Sequence, residues 1–124
     1  MNKQQMEIAN LNRAYKLNNY LFFFLVGAIL NITVVVSNGN AMPVFYSIEE
    51  TVQNLPKDYI AFTDTDEVRY PYLSDYFKVG TNNRALKFSV GDLIMAVSFI
   101  MAVGILIQGI IIQRRYKHGV IRIK

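Results

Sequence analysis

Two uncharged apolar runs divide the chain. One covers residues 20–36, YLFFFLVGAILNITVVV, and the other covers residues 93–112, LIMAVSFIMAVGILIQGIII. A helix rises about 1.5 Å per residue, so about 20 apolar residues cross a hydrocarbon layer of about 30 Å. The second run has that length. The first is shorter and is flanked by Asn18, Asn19, Ser37 and Asn38, a mismatch that tilt or local thinning absorbs. The pattern predicts an all-α membrane protein, a two-helix transmembrane hairpin with a small structured extracytoplasmic loop. Residues 1–19 are expected as a cytoplasmic tail or interfacial helix, 20–36 and 93–112 as the spans, 37–92 as an outer cap, and 113–124 as a basic cytoplasmic tail. Two core helices of a soluble domain are the rival, but the remaining residues hold too little apolar surface to wrap both.

Between the runs, the apolar and polar positions alternate over shorter distances. Ser37-Asn38-Gly39-Asn40 is a strong turn signal. Residues 42–44 are expected to be extended because of Pro43, and Tyr70 is pushed the same way by Pro71. Ser47 and Glu50 have capping-box spacing, which predicts a short helix over 48–54 that ends before Pro56. Residues 59–63 read as a short strand, Thr63-Asp64-Thr65-Asp66 as a polar turn, and residues 80–84 as another turn. Nine aromatic residues lie here: Phe45, Tyr46, Tyr59, Phe62, Tyr70, Tyr72, Tyr76, Phe77 and Phe88. That density predicts a folded cap at headgroup level rather than a disordered linker. Ser89-Val90-Gly91-Asp92 opens the second span, with Ser89 as N-cap and Asp92 complementing the helix dipole.

Charge orients this pattern. Lys3, Arg13 and Lys16 stand before the first span against Glu7, and Arg114, Arg115, Lys117, Arg122 and Lys124 follow the second with no acid. The tails carry a net +7 and the connecting segment a net −3, which together give the chain's +4. Basic residues beside span ends favour the cytoplasmic face. Both termini are therefore expected on the cytoplasmic side of the membrane, with the cap outside. Arg114, Arg115 and Lys117 are placed against lipid headgroups, and membrane lipid rather than nucleic acid is the expected partner of the basic charge. A cleaved signal peptide in place of the first span is disfavoured by its long leading segment and by the lack of an A-x-A site.

Polar and small residues within the spans mark candidate helix–helix contacts: Gly27, Asn31, Ser98, Ala102 and Gly104. An asparagine amide in hydrocarbon is costly unless bonded. Asn31 therefore either faces another helix or lies shallow and bonds locally. Small residues let helix backbones approach. Chemistry is sparse. There is no cysteine and a single histidine, His118, in the basic tail, which excludes disulfides, thiolate nucleophiles and two-histidine metal sites within the chain. No charge lies in either span, and no phosphate loop or nucleophile motif occurs. Residues 64–67, Asp-Thr-Asp-Glu, lack the oxygen spacing and turn glycine of a calcium loop. Arg69 and Asp75 are candidates for a structural ion pair. No catalytic residue, metal or cofactor is expected.

Three ordered segments resemble a bacterial membrane family classed only as a domain of unknown function. Residues 38–44, following Leu30-Asn31, resemble its N-G-G-x-M-P-V signature. Residues 69–75 resemble an R-x-P-x-L-x-D segment, and residues 89–92 resemble the S-x-G-D opening its last helix. The resemblance covers about residues 21–106. Asn40 replaces the second glycine of the signature, so the turn is expected to differ. Members of that family usually carry further apolar helices before this pair. The resemblance implies no activity. It implies that Asn38, Gly39, Pro43, Arg69, Pro71, Asp75, Ser89 and Asp92 act together as loop structure. The functional expectation is a non-catalytic accessory subunit of a larger membrane complex, held to other integral membrane subunits. The alternatives are a free-standing homo-oligomer that binds lipid or a small ligand under its loop, and an envelope-signal regulator.

Overall fold

The computed structural model describes residues 1–47, 50, 52, 55–81 and 85–122, with side chains as far as residue 119. The element order is α1 (Lys3–Ser37), β1 (Met42–Phe45), β2 (Tyr59–Phe62), a 3-10 turn (Pro71–Leu73), β3 (Phe77–Val79), β4 (Leu86–Phe88) and α2 (Val90–Arg122). The chain divides into two compact units. One comprises residues 25–95, and the other comprises residues 1–24 with 96–124.

Each long helix extends well beyond its apolar run. The N-terminal tail is continuous with α1, because residues 3–19 are mostly good helix formers without glycine or proline. A capping box starts it: Asn2 Oδ1 accepts from the Gln5 N–H at 2.8 Å, and Gln5 Oε1 accepts from the Asn2 N–H at 3.0 Å. The basic tail likewise continues α2 to Arg122. Both helices are long and apolar enough to cross a membrane, and only 11% and 6% of their most apolar windows are buried by the rest of the chain. An apolar helix left uncovered by its own chain needs lipid or another protein around it.

The unit of residues 25–95 holds two small sheets, so the all-α expectation is corrected. β1 and β2 pair in parallel, in the register Met42↔Tyr59 to Phe45↔Phe62. A parallel pair needs a crossover of about a dozen residues, and residues 46–58 provide it. Asp75 bridges Val44 on the other edge of β1. β3 and β4 pair antiparallel, in the register Phe77↔Phe88, Lys78↔Lys87 and Val79↔Leu86. The core gathers Val34 from α1 with Met42, Val44, Tyr46 and Phe62. Ring contacts run from Phe62 through Phe45, Tyr76 and Phe77 to Phe88. The predicted helix over 48–54 and most of the predicted turn over 80–84 lie outside the described residues.

Tyr70 departs from its expectation. It adopts left-handed backbone at φ 54°, ψ 56° and leads directly into the turn that Pro71 opens. An aromatic residue there carries backbone strain. It persists because the flanking Arg69 backbone is held in place, as described below.

Candidate functional site

The end of α1 is closed by a Schellman turn. Gly39 has φ 71°, and the Asn40 N–H reaches back to the Val35 carbonyl at 2.9 Å. Asn40 itself has φ 62°. Asparagine tolerates the left-handed region better than other non-glycine residues. Asn40 therefore takes a backbone conformation that a glycine would also take.

Asn38 joins this turn to the segment around Arg69. Its Nδ2 donates to the carbonyls of Val34 at 2.8 Å and Arg69 at 2.9 Å, and its Oδ1 accepts from the Arg69 N–H at 2.9 Å. One amide thus caps a helix and pairs with a distant backbone as a strand would. Arg69 is held by its backbone, and among the described residues it forms no ion pair with Asp75. Instead Asp75 joins β1 through its main chain. Its N–H donates to the Pro43 carbonyl at 3.0 Å, and its carbonyl accepts from the Phe45 N–H at 3.1 Å. Pro43 has no N–H to place on this edge, so its carbonyl alone meets Asp75. The Asp75 side chain is 7% exposed, and its Oδ1 has no hydrogen-bond partner. Burial, with a smaller contribution from the Asp92 charge, pushes its carboxyl up to about 6.

The opening of α2 carries a reciprocal capping box. The Asp92 N–H donates to Ser89 Oγ at 3.0 Å, and the Ser89 N–H donates to Asp92 Oδ2 at 3.1 Å. Asn31 on α1 completes it. Ser89 Oγ donates to Asn31 Oδ1 at 2.7 Å, and Asn31 Nδ2 donates to Asp92 Oδ1 at 2.7 Å. Three side chains form a closed ring that joins the two helices, and Ser89 is fully buried. Of the two expectations for Asn31, the contact with the other helix is the one realised.

Glycines make that ring possible. A Cβ on Gly27 would lie 2.6 Å from the Gly91 carbonyl oxygen, and a Cβ on Gly91 would lie 2.2 Å from Asn31 Oδ1. Both distances are below any real contact, so the helices meet glycine to glycine. Gly91 was not among the helix-contact candidates. Its signal was its place between Ser89 and Asp92, on the first turn of a capped helix. Thr33, the other polar residue of the first run, bonds back to the Ile29 carbonyl at 2.8 Å.

A second cluster lies behind the β3–β4 hairpin. Glu50 contacts Lys87 Nζ at 2.8 Å and Lys78 Nζ at 3.5 Å. Lys87 also donates to the Phe45 carbonyl and sits 3.9 Å above the Tyr46 ring. Glu50 accepts from the Ser47 N–H at 3.3 Å and from its hydroxyl at 3.1 Å, the reach-back expected of a capping residue. The Lys87 hydrogen bond, above all, holds the Glu50 carboxyl down to about 2. The hairpin therefore turns its lysines inward. On its other face Phe77, Val79 and Leu86 are 43%, 59% and 67% exposed.

In the unit of residues 1–24 and 96–124, Ser98 is buried and Ala102 half-buried. Both line a groove with Tyr20, Leu21, Phe24 and Phe99. Gly104 is exposed, and a Cβ there would meet nothing within 4 Å. Its expected helix–helix contact is therefore not made with α1. Arg114, Arg115 and Lys117 are exposed on α2. In the turn of residues 63–66, Asp66 bends back to accept from the Thr63 N–H at 2.8 Å. Among the described residues, no group of three or more His, Asp or Glu side chains gathers as metal ligands.

The similarity to known proteins covers nearly this whole architecture, from within the leading turns of α1 to near the end of the second apolar run. The chain belongs to the family of unknown function DUF5317. The match spans residues 6–111 and so includes the Schellman turn, the Asn38–Arg69 pairing, the Asn31–Ser89–Asp92 ring and the hairpin. No curated protein and no solved structure shows detectable similarity to the chain.

Proposed function

We propose that this DUF5317 chain is a non-catalytic accessory subunit of a larger membrane assembly. In this reading α1 and α2 cross a bacterial cytoplasmic membrane, both termini are cytoplasmic, and residues 37–92 form the outer cap. The distribution of basic residues supports that orientation. The observation that carries the subunit reading is the inverted β3–β4 hairpin. Its lysines are drawn inward onto Glu50, while Phe77, Val79 and Leu86 face outward and uncovered. A small sheet facing water buries its apolar face and exposes its charged one. The reverse arrangement marks a surface made to be covered. Gly104 and Gln108 add to this, since a notch and an amide one turn apart are exposed on α2, the kind of pair that receives a neighbouring helix.

The reading is tested by affinity purification of the tagged chain from its own membranes in mild detergent. Wild-type protein is expected to bring down stoichiometric integral membrane partners. The Val79→Asp/Leu86→Asp variant, with unchanged helix content, is expected to lose them. Recovery of the chain alone, or only as a homo-oligomer, overturns the subunit reading.

A further inference from the structure

Arg13 stands apart from the other basic residues of the chain. It lies on α1 with its side chain laid against α2, and its Nε sits 3.4 Å from where a Cβ on Gly109 would be. A Cβ at that position would just touch it, and a larger side chain would displace it. Nη2 donates to Asn10 Oδ1. Nη1 is covered by protein and has no hydrogen-bond partner. A guanidinium carries five N–H donors and stays charged at every physiological pH. A covered, charged donor without an acceptor is costly, and none of the described residues supplies the missing acceptor.

The side chain borders a groove of about 230 Å³ between the helices. Ala14 and Leu17 line it from α1, and Ile105, Leu106, Gly109 and Ile110 line it from α2, with Gln113 at one end. The lining contains no acid. Its polar groups are one cation and one amide, and the rest is aliphatic. An occupant that satisfies both parts has an anionic oxygen group attached to a hydrocarbon chain. Lys16 follows Arg13 by one turn, and Arg114 follows Gln113, so the local field favours an anion as well.

We propose that this groove binds one anionic phospholipid, with its phosphate on Arg13 and Gln113 and an acyl chain along Leu17, Ile105 and Leu106. A turn about its terminal torsions presents the covered Nη1 to the phosphate as a charge-assisted donor, while Gly109 leaves room for the guanidinium beside α2. The site differs from the exposed Arg114, Arg115 and Lys117, which act on headgroups as diffuse charge. The proposal does not depend on the partner expected of the hairpin.

Native mass spectrometry of the full chain in mild detergent tests it, with phosphatidylglycerol and phosphatidylcholine at equal concentration. The wild type is expected to retain phosphatidylglycerol about tenfold over phosphatidylcholine, whose choline cation is repelled by Arg13 and Lys16 and offsets the charge of its phosphate. Arg13→Gln should reduce this to near parity, Gly109→Leu should do the same by pushing the guanidinium away, and Arg13→Lys should keep part of the preference. The triple variant Arg114→Gln/Arg115→Gln/Lys117→Gln should keep most of it. Equal helix content across the set, by circular dichroism, excludes misfolding as the cause. Three results overturn the proposal: an undiminished preference in Arg13→Gln, loss confined to the tail variant, or displacement of the lipid by inorganic phosphate alone, which would mark a simple anion site.

Discussion

Asn31 illustrates how a single polar residue in an apolar run acquires its partners. Its amide donates to one carboxylate and accepts from one hydroxyl, so both of its ends are used. Asn31→Leu leaves Ser89 Oγ and Asp92 Oδ1 without those bonds in a buried setting, a loss of about 2–3 kcal/mol. Denaturant unfolding in detergent, with hydrogen exchange at residues 89–93, is expected to show it. Gly91→Ala should cost a similar amount by overpacking, whereas Gly104→Ala should leave stability unchanged, because a Cβ there meets open space. The Ser89 and Asp92 spacing was readable as a cap, and Asn31 was readable as a residue in need of a partner. Their meeting was not, because no local pattern records which distant groups an amide will face. Arg69 and Asp75 show the converse. Complementary charge six residues apart suggested a pair, but the backbones of both residues were already committed to Asn38 and β1.

At the scale of elements, the helices were legible and the sheets only in part. The apolar runs mark both long helices, and Pro43 and most of residues 59–63 are extended as expected. That β1 and β2 pair in parallel depends on a crossover whose course no periodicity encodes. The hairpin was missed because its outward face is the apolar one, the opposite of the alternation expected for a soluble strand. The cap elements also carry two opposing titrations. Glu50 releases its proton more readily folded than unfolded, so its stabilisation is present above about 4.5 and is lost as pH falls toward about 2. Asp75 holds its proton more tightly folded, so its stabilisation is present below about 3.8 and is lost as pH rises through about 6. The cap is therefore expected to be most stable in acid, at about pH 4, between the two unfolded values. Asp75→Asn should flatten the alkaline limb of the stability profile, and Glu50→Gln should flatten the acid limb. A profile unchanged by both substitutions would contradict these assignments.

At the scale of the whole molecule, the chain commits few of its apolar residues to itself. The long helices are joined near the cap by the Asn31–Ser89–Asp92 ring and leave most of their surface for lipid or other proteins. The hairpin leaves a further apolar face uncovered. These uncovered surfaces are what the accessory-subunit proposal rests on, and membership of DUF5317, a family of unknown function, assigns no reaction. The central claim beneath that reading is the membrane hairpin with its cap outside and both ends inside. The absence of cysteine makes it directly measurable by single-cysteine labelling with a membrane-impermeant maleimide. Asp64→Cys in the cap is expected to react in intact cells, while Asn2→Cys and Lys117→Cys should react only after permeabilisation. Labelling of either tail in intact cells, or protection of the cap, would contradict the account.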